Sequence, residues 1–184
     1  MAELHHNVRK CALLQNWGAA LPSKWYWTQC NDLAGYDQLS VTVGGGIRKL
    51  PLGRREALDM VCVRVNGTFY EAVPWTGSMS WEVEPWGYWE MKGRSIHTDR
   101  PFEAEVIYRL DPSTMPGLVF RAPTPDRGMV PFCRDTFEAK TTLSLWELVW
   151  DERLQTHVRK AGAPLIDRET SIVWGAEIGG GRKL

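Results

Sequence analysis

Short runs of aromatic and β-branched residues, separated at close intervals by glycine and proline, constrain this chain more than any other feature. Asn66-Gly67 stands between two such runs, Cys62–Val65 and Thr68–Tyr70, and this dipeptide is a strong signal for a two-residue hairpin turn. Many short strands with little helix are typical of antiparallel sandwiches and barrels. The predicted strands are Lys24–Cys30, Leu39–Val43, Asp59–Val65, Thr68–Val73, Met79–Glu84, Gly87–Lys92, Phe102–Leu110, Phe132–Glu138, Lys140–Val149 and Ser171–Glu177.

A different periodicity precedes these strands. Leu4, Val8, Cys11 and Leu14 recur at three-to-four spacing, which predicts one short N-terminal helix. A chain of 184 residues suffices for one domain with a real hydrophobic core but not for two ordinary domains. The predicted fold is therefore mostly β, an antiparallel lipocalin-like barrel or sandwich with one N-terminal helix. All 184 residues are expected to form a single β domain.

Charge and cysteine usage narrow the class of function. The formal net charge is zero and the basic residues are scattered, so we do not expect a nucleic-acid partner. The four cysteines stand far apart without a CxxC pair, and the four histidines show no ligand spacing, which argues against a metal site and a disulfide framework. No apolar run is long enough to cross a bilayer, and no targeting segment is recognisable. These patterns predict a soluble or peripheral protein.

The segment Lys24–Asn31 combines aromatic and amide side chains in an unusual way. If it is a strand, Trp25, Trp27, Gln29 and Asn31 share one face, because side chains alternate along a strand. Two indoles followed by two amides are typical of a pocket wall for a large apolar ligand with a polar end. The alternative is a tryptophan-rich sheet core with satisfied amides.

A second aromatic cluster contains two glutamates. Trp81 and Trp86 flank Glu82 and Glu84 within the sequence WEVEPW. A carboxyl group against indole rings loses hydration, so its pKa rises and it remains protonated as a general acid. The alternative is that both glutamates face solvent while the tryptophans form core.

Two further residues are candidates for a site. Asp135 follows Arg134 in a strand-like run, and it is either a buried acid or half of an ion pair that fixes a strand end. Arg121 precedes prolines that predict a rigid extended connector, which leaves its guanidinium free to close over a carboxylate. The glycines at 44–46 are predicted to form a tight turn, because no helix follows to complete a phosphate site.

Taken in order along the chain, these strings resemble those of the tocopherol cyclase family. WEVEPWG and KWYWTQCN are the most specific of them. The resemblance runs over nearly the whole of this chain and is to the C-terminal part of the family's sequence. The matching strings are NWG at 16–18, KWYWTQCN at 24–31, GGGIRKLP at 44–51, GTFYE at 67–71, WEVEPWGYW at 81–89, RAPT at 121–124, FCRDT at 132–136, LSLWE at 143–147 and EIGGG at 177–181.

The resemblance implies a fold and a reaction. The fold is lipocalin-like, related to that of carotenoid hydratases, with two β domains of which the N-terminal one is missing here. The reaction belongs to vitamin E biosynthesis: a general acid protonates the alkene of a phytyl benzoquinol, and the phenolic oxygen captures the tertiary cation to give a chromanol. It implies no metal and no organic cofactor. It also implies a chloroplast location, at the plastoglobule or thylakoid, or a cyanobacterial source, with peripheral contact to a membrane or lipid droplet.

The residues fit this chemistry. Indole faces stabilise a carbocation and enclose an apolar tail, and amides bind the quinol head. The candidate catalytic acids are Glu84, Glu82 and Asp135, and the candidate substrate-binding residues are Trp25, Trp27, Gln29, Asn31, Trp81, Trp86 and Arg121. Three alternatives stay open: a non-catalytic module that binds an isoprenoid lipid, an inactive fragment and, more distantly, a sugar-binding sandwich.

Overall fold

A computed structural model describes residues 24–31, 33, 38–84, 86–124, 126–136, 139–170 and 176–179. The predicted N-terminal helix lies outside these residues. Within them the chain is almost entirely strand, and every pairing between strands is antiparallel, which confirms the predicted fold class. None of the helical turns found in these ranges has the length and hydropathy that a bilayer crossing requires.

The strands form two sheets. One has seven strands in the order β4-β3-β2-β1-β13-β9-β8, and the other has six, with β11-β10-β7-β6-β5 as its path and β12 paired to β10. The bounds are Lys24–Cys30 (β1), Leu39–Lys49 (β2), Arg55–Val65 (β3), Thr68–Ala72 (β4), Gly77–Val83 (β5), Tyr88–Ser95 (β6), Phe102–Arg109 (β7), Leu118–Thr124 (β8), Gly128–Thr136 (β9), Lys140–Asp151 (β10), Thr156–Arg159 (β11), Ile166–Thr170 (β12) and Ala176–Gly179 (β13).

The β3–β4 hairpin turns where the sequence predicts it. Asn66 and Gly67 have φ values of 47° and 81°, the left-handed conformation that a two-residue type I′ turn requires at both positions. The turn fixes the register so that Val65 pairs with Thr68. This register places Val61 and Val63 of β3 on the same side as Ala72 of β4.

The hydrophobic core lies between the facing surfaces of the two sheets. Alternate residues of the seven-stranded sheet, among them Val41, Val43 and Val63, are fully buried. They belong to one cluster with Phe102 and Leu145 of the six-stranded sheet. We call the side of the seven-stranded sheet that carries these residues its inner face, and the opposite side its outer face.

The glycines at 44–46 do not form the predicted turn. They lie inside β2, where Gly44, Gly45 and Gly46 pair with Met60, Asp59 and Leu58 of β3. The expectation was wrong because glycine in a strand also marks places where another group approaches the backbone closely. The connector predicted around Arg121 is likewise strand β8, paired with β9 across an irregularity after Phe120.

Candidate functional site

Strand β1 divides the aromatic residues of Lys24–Asn31 between the two faces of the sheet. Tyr26 and Thr28 point into the core and are at most 2% exposed, so the half-buried Trp25 and Trp27 lie on the outer face. The indole N–H groups of both tryptophans are buried without a hydrogen-bond partner. Unpaired buried donors are costly, so these two indole nitrogens reduce the stability of this face.

The two amides predicted at the polar end of this face bind each other. Gln29 is buried, and its Nε2 donates to Oδ1 of Asn31 at 2.9 Å. Trp25 also contacts Phe132 of β9, with the ring centroids 6.2 Å apart. The outer face therefore carries an aromatic patch that ends in an amide pair.

Trp86 is held by the core rather than presented to solvent. It is 8% exposed, and its Nε1 donates to the carbonyl oxygen of Met115 at 2.8 Å. Its ring packs edge-on against Trp89, and the guanidinium of Arg134 lies 5.4 Å from the ring centre. These contacts anchor the segment before β8 to the end of the six-stranded sheet.

Trp81 of β5 has a different environment. It is half-buried at the edge of the core, and its ring centre lies 5.1 Å from that of Tyr26 on the inner face. The ammonium group of Lys24 lies 5.2 Å from the ring centre and donates to the carbonyl oxygen of Val83. The Trp81 ring thus already holds a cation against its face.

The carboxyl groups singled out in the sequence do not gather beside these rings. Glu82 and Glu84 are exposed, because β5 alternation directs Glu82 away from Val83 and the core. Asp135 of β9 is half-buried, and by register it lies on the outer face, opposite Leu118 of β8. The desolvation expected for the two glutamates is absent, and their catalytic role stays a prediction.

The candidate residues consequently belong to separate surfaces. Trp25, Trp27 and Asp135 lie on the outer face, Trp81 lies at the inner edge of the core, and Arg121 is exposed on the edge strand β8. A strand backbone separates the first group from the second. A single small pocket cannot be lined by all of them.

Sequence reasoning missed a buried polar cluster on the inner face. Tyr26, Gly45 and Asp59 are direct neighbours across β1, β2 and β3. The Tyr26 hydroxyl donates to Oδ1 of Asp59 at 3.1 Å, over the top of Gly45. A Cβ at position 45 would stand 2.7 Å from the Tyr26 hydroxyl oxygen, so only glycine leaves room for this bond.

Burial governs the protonation of this cluster. It raises the pKa of Asp59 above the ordinary 3.8, while hydrogen bonds from Tyr26 and Trp81 act in the lowering direction. Burial first, and then the charge of Asp59, raise the pKa of Tyr26, which therefore stays a donor. A carboxyl that is hard to ionise, held by two neutral donors, is suited to proton transfer.

The two best-formed cavities among the described residues do not touch these groups. One of about 390 Å³ lies at the β3–β4 hairpin, between residues 67–71 and 98–102. A small apolar one lies beside Tyr88, Trp89 and Tyr108. Across the described ranges no cluster of three or more histidine, cysteine, aspartate or glutamate side chains is arranged to hold a metal ion.

Comparisons with known proteins identify the family. The family model described as Tocopherol cyclase-like matches residues 12–180. The chain is 37% identical over 169 residues to "Probable tocopherol cyclase, chloroplastic" of Oryza sativa subsp. japonica. These residues are 91% of this chain and 33% of the relative. It is also 37% identical to "Tocopherol cyclase, chloroplastic" of Zea mays, covering 91% and 32% of the two chains.

The chain thus spans about a third of the length of these curated relatives. No solved structure matches it significantly. The match to the family model, over residues 12–180, includes all the strands from β1 to β13. This chain belongs to the tocopherol cyclase-like family.

Proposed function

We propose that this chain closes the chromanol ring of a prenylated benzoquinol, the step that makes a tocopherol in vitamin E biosynthesis. The observation that supports it is the family match over residues 12–180, with relatives named tocopherol cyclase. The chain spans about a third of those relatives, so this activity is proposed for the chain itself.

The proposed reaction is an isomerisation. A general acid adds a proton to the less substituted carbon of the prenyl alkene, which leaves a tertiary carbocation. The phenolic oxygen then forms the C–O bond and releases its proton. Electrons and atoms balance without an oxidant, a reductant or a co-substrate.

Aromatic surfaces of the chain support binding of such a substrate. The Trp81 ring already carries the Lys24 ammonium at 5.2 Å, and an indole face that holds one cation is suited to another. Trp25 and Trp27 form the aromatic patch on the outer face, with Gln29 and Asn31 at its polar end. These remain proposed substrate-binding residues.

The family also supports a place of action. The two relatives are chloroplastic by name. We extend this location to the present chain, at the plastoglobule or thylakoid, where prenylquinols dissolve in lipid. Fractionation of a tagged full-length chain after chloroplast import would test it, and recovery in the stroma alone would contradict it.

Incubation with a phytylated benzoquinol, followed by chromatography for the chromanol, tests the activity. We expect product from the folded 184-residue chain in the absence of added cofactor. Quinol binding measured by tryptophan fluorescence runs in parallel. Binding without product would identify a lipid-binding module, and neither binding nor product from folded protein would refute the proposed function.

A further inference from the structure

We propose that the carboxyl group of Asp59 is the general acid that protonates the prenyl alkene, an assignment that rests on the ring closure proposed above. Asp59 is buried on the inner face, and its side chain is fixed by Tyr26 of β1 and Trp81 of β5. It was not among the acids suggested by the sequence. The cluster of Tyr26, Gly45, Asp59 and Trp81 is called the inner cluster below.

The inner cluster lies two rows from the end of the β2–β3 ladder, where the exposed Lys49 pairs with Arg55 on the same face. Tyr26, Gly45 and Asp59 are followed on the same face by Lys24, Ile47 and Ala57, which pair across the same three strands. Ala57 is exposed and the other two are half-buried.

Asp59 itself keeps 9% of its surface exposed. A substrate that reaches the carboxyl from this side must first displace the Lys24 side chain, which lies over the Trp81 ring. The fully buried valines at 61 and 63 lie on the far side and close the route deeper into the protein.

Tyr26 positions the acid and stabilises its conjugate base. Its hydroxyl donates to Oδ1, so the proton leaves from the other oxygen of the carboxyl. Burial keeps the pKa of Asp59 raised, and the donors from Tyr26 and Trp81 are already aimed at the charge that forms when the proton departs. Such donors lower the barrier without reorganising during the reaction.

Trp81 supplies the complementary half of the site. Its ring lies beside Tyr26 and takes the Lys24 ammonium against its face. Lys24 is held there by this ring contact and by a 3.3 Å hydrogen bond to the carbonyl oxygen of Val83. A prenyl chain that displaces this side chain brings its tertiary cation to the same ring face, within reach of the new carboxylate.

The cycle then closes on the same residue. Asp59 gives its proton to the alkene carbon as the π electrons form the new C–H bond. The phenolic oxygen attacks the tertiary cation, and its proton returns to the Asp59 carboxylate. Asp59 ends protonated, so one group serves every turnover.

The exposed Glu82 and Glu84 lack this arrangement. Protonating an alkene needs an acid in its protonated form, and burial favours that form of Asp59 by raising its pKa.

The test compares Asp59→Asn, Tyr26→Phe and the matched control Asp126→Asn, which makes the same chemical change on the exposed β8–β9 turn. We expect Asp59→Asn to lower kcat for chromanol formation at least ~100-fold while quinol binding is retained, as for loss of a general acid. Asp126→Asn should match the wild type.

Tyr26→Phe separates a positioning role from a merely structural one. The titratable groups of β1 on this side are Lys24, Tyr26 and Cys30, and the charged groups of β2 and β3 on the same face are Lys49 and Arg55 at the end of the ladder. Next to Asp59 itself, β2 and β5 present Gly45 and Trp81, which do not titrate. Removing the Tyr26 donor raises the pKa of Asp59 further, so the alkaline limb of the kcat–pH profile should move to higher pH. Lys24→Met, which lacks the ammonium group, should keep the alkaline limb of the kcat–pH profile. Adding Tyr26→Phe to Lys24→Met should still move this limb to higher pH.

The outcomes are distinguishable. Product from Asp59→Asn within about threefold of the wild-type rate would overturn the assignment of Asp59 and leave the ring closure standing. If Asp59→Asn does not fold, the Tyr26→Phe profile decides. An alkaline limb at the same pH in Tyr26→Phe and the wild type would then overturn the assignment of Asp59. No chromanol from folded wild-type protein overturns both proposals.

Discussion

Replacing Gly45 by alanine tests the inner cluster through stability alone. The new methyl group would stand 2.7 Å from the Tyr26 hydroxyl oxygen, 2.8 Å from Cε1 of the same ring, and closer still to Oδ1 of Asp59. Real Cβ atoms do not approach other atoms this closely. One of the two side chains must therefore move, and the 3.1 Å hydrogen bond between them breaks.

The size of the loss follows from three contributions. Overpacking costs roughly 1–3 kcal/mol. Leaving a buried hydroxyl or carboxyl unpaired costs about another 1–3 kcal/mol. Alanine restricts the unfolded chain more than glycine does and returns about 0.4–1 kcal/mol. We expect Gly45→Ala to lower the free energy of unfolding by roughly 3 kcal/mol, which for a chain of this size lowers Tm by about 6–12 °C.

The neighbouring glycine provides a matched control. A Cβ at Gly44 meets Cδ1 of Trp27 at 3.5 Å, which is ordinary van der Waals contact. Gly44→Ala should therefore change stability by less than about 1 kcal/mol. Urea unfolding followed by tryptophan fluorescence measures both variants. Equal midpoints for the two variants would refute the close approach of Tyr26 and Asp59 across β2.

Three further predictions use other contacts. Trp86→Phe removes the donor to the Met115 carbonyl oxygen and should lower the free energy of unfolding in urea by about 1–3 kcal/mol. A decrease of less than about 0.5 kcal/mol would contradict the role of this bond. Trp81→Ala should weaken quinol binding by more than about 1 kcal/mol in fluorescence titration, and Trp25→Ala by less; the reverse order would favour the outer face. Because the pKa of Asp59 is raised in the fold, its stabilising contribution is complete below pH 3.8 and is lost as pH rises through the folded value. As pH rises from about 4 to the raised pKa of Asp59, the wild type should lose stability relative to Asp59→Asn. A difference in unfolding free energy between the two proteins that stays constant over this range would contradict the raised pKa.

Local pattern predicted much of this fold. Strand β1 begins and ends at the predicted residues Lys24 and Cys30, and the hairpin at Asn66-Gly67 is confirmed, because alternation and turn chemistry are written in adjacent residues. The pattern did not reveal β11 and β12. Both are short, and β11 has no residue buried, so neither carries a period-two apolar signal.

The inner cluster was hidden for a different reason. Asp59 stands two and four residues before the buried Val61 and Val63, so alternation alone places it on the inner face. Its partner could not be found this way, because the pairing of Tyr26 with Asp59 depends on the register of three strands. Because Gly45 was predicted to lie in a turn, the part of β2 that lies between Tyr26 and Asp59 was not predicted as strand. Register comes from long-range pairing, which a single sequence does not display.

The same alternation decides which aromatic surface serves the reaction proposed here. Trp25 and Tyr26 are adjacent in β1 and point to opposite faces of one sheet. A quinol bound against Trp25 has the sheet backbone between its alkene and Asp59, and no proton passes directly across it. A quinol bound beside Trp81 has the carboxyl, the Tyr26 donor and the cation-holding ring on one side. With Asp59 as the acid, the reacting alkene lies on the inner face, and the outer patch of Trp25 and Trp27 is left to contact parts of the substrate away from the alkene.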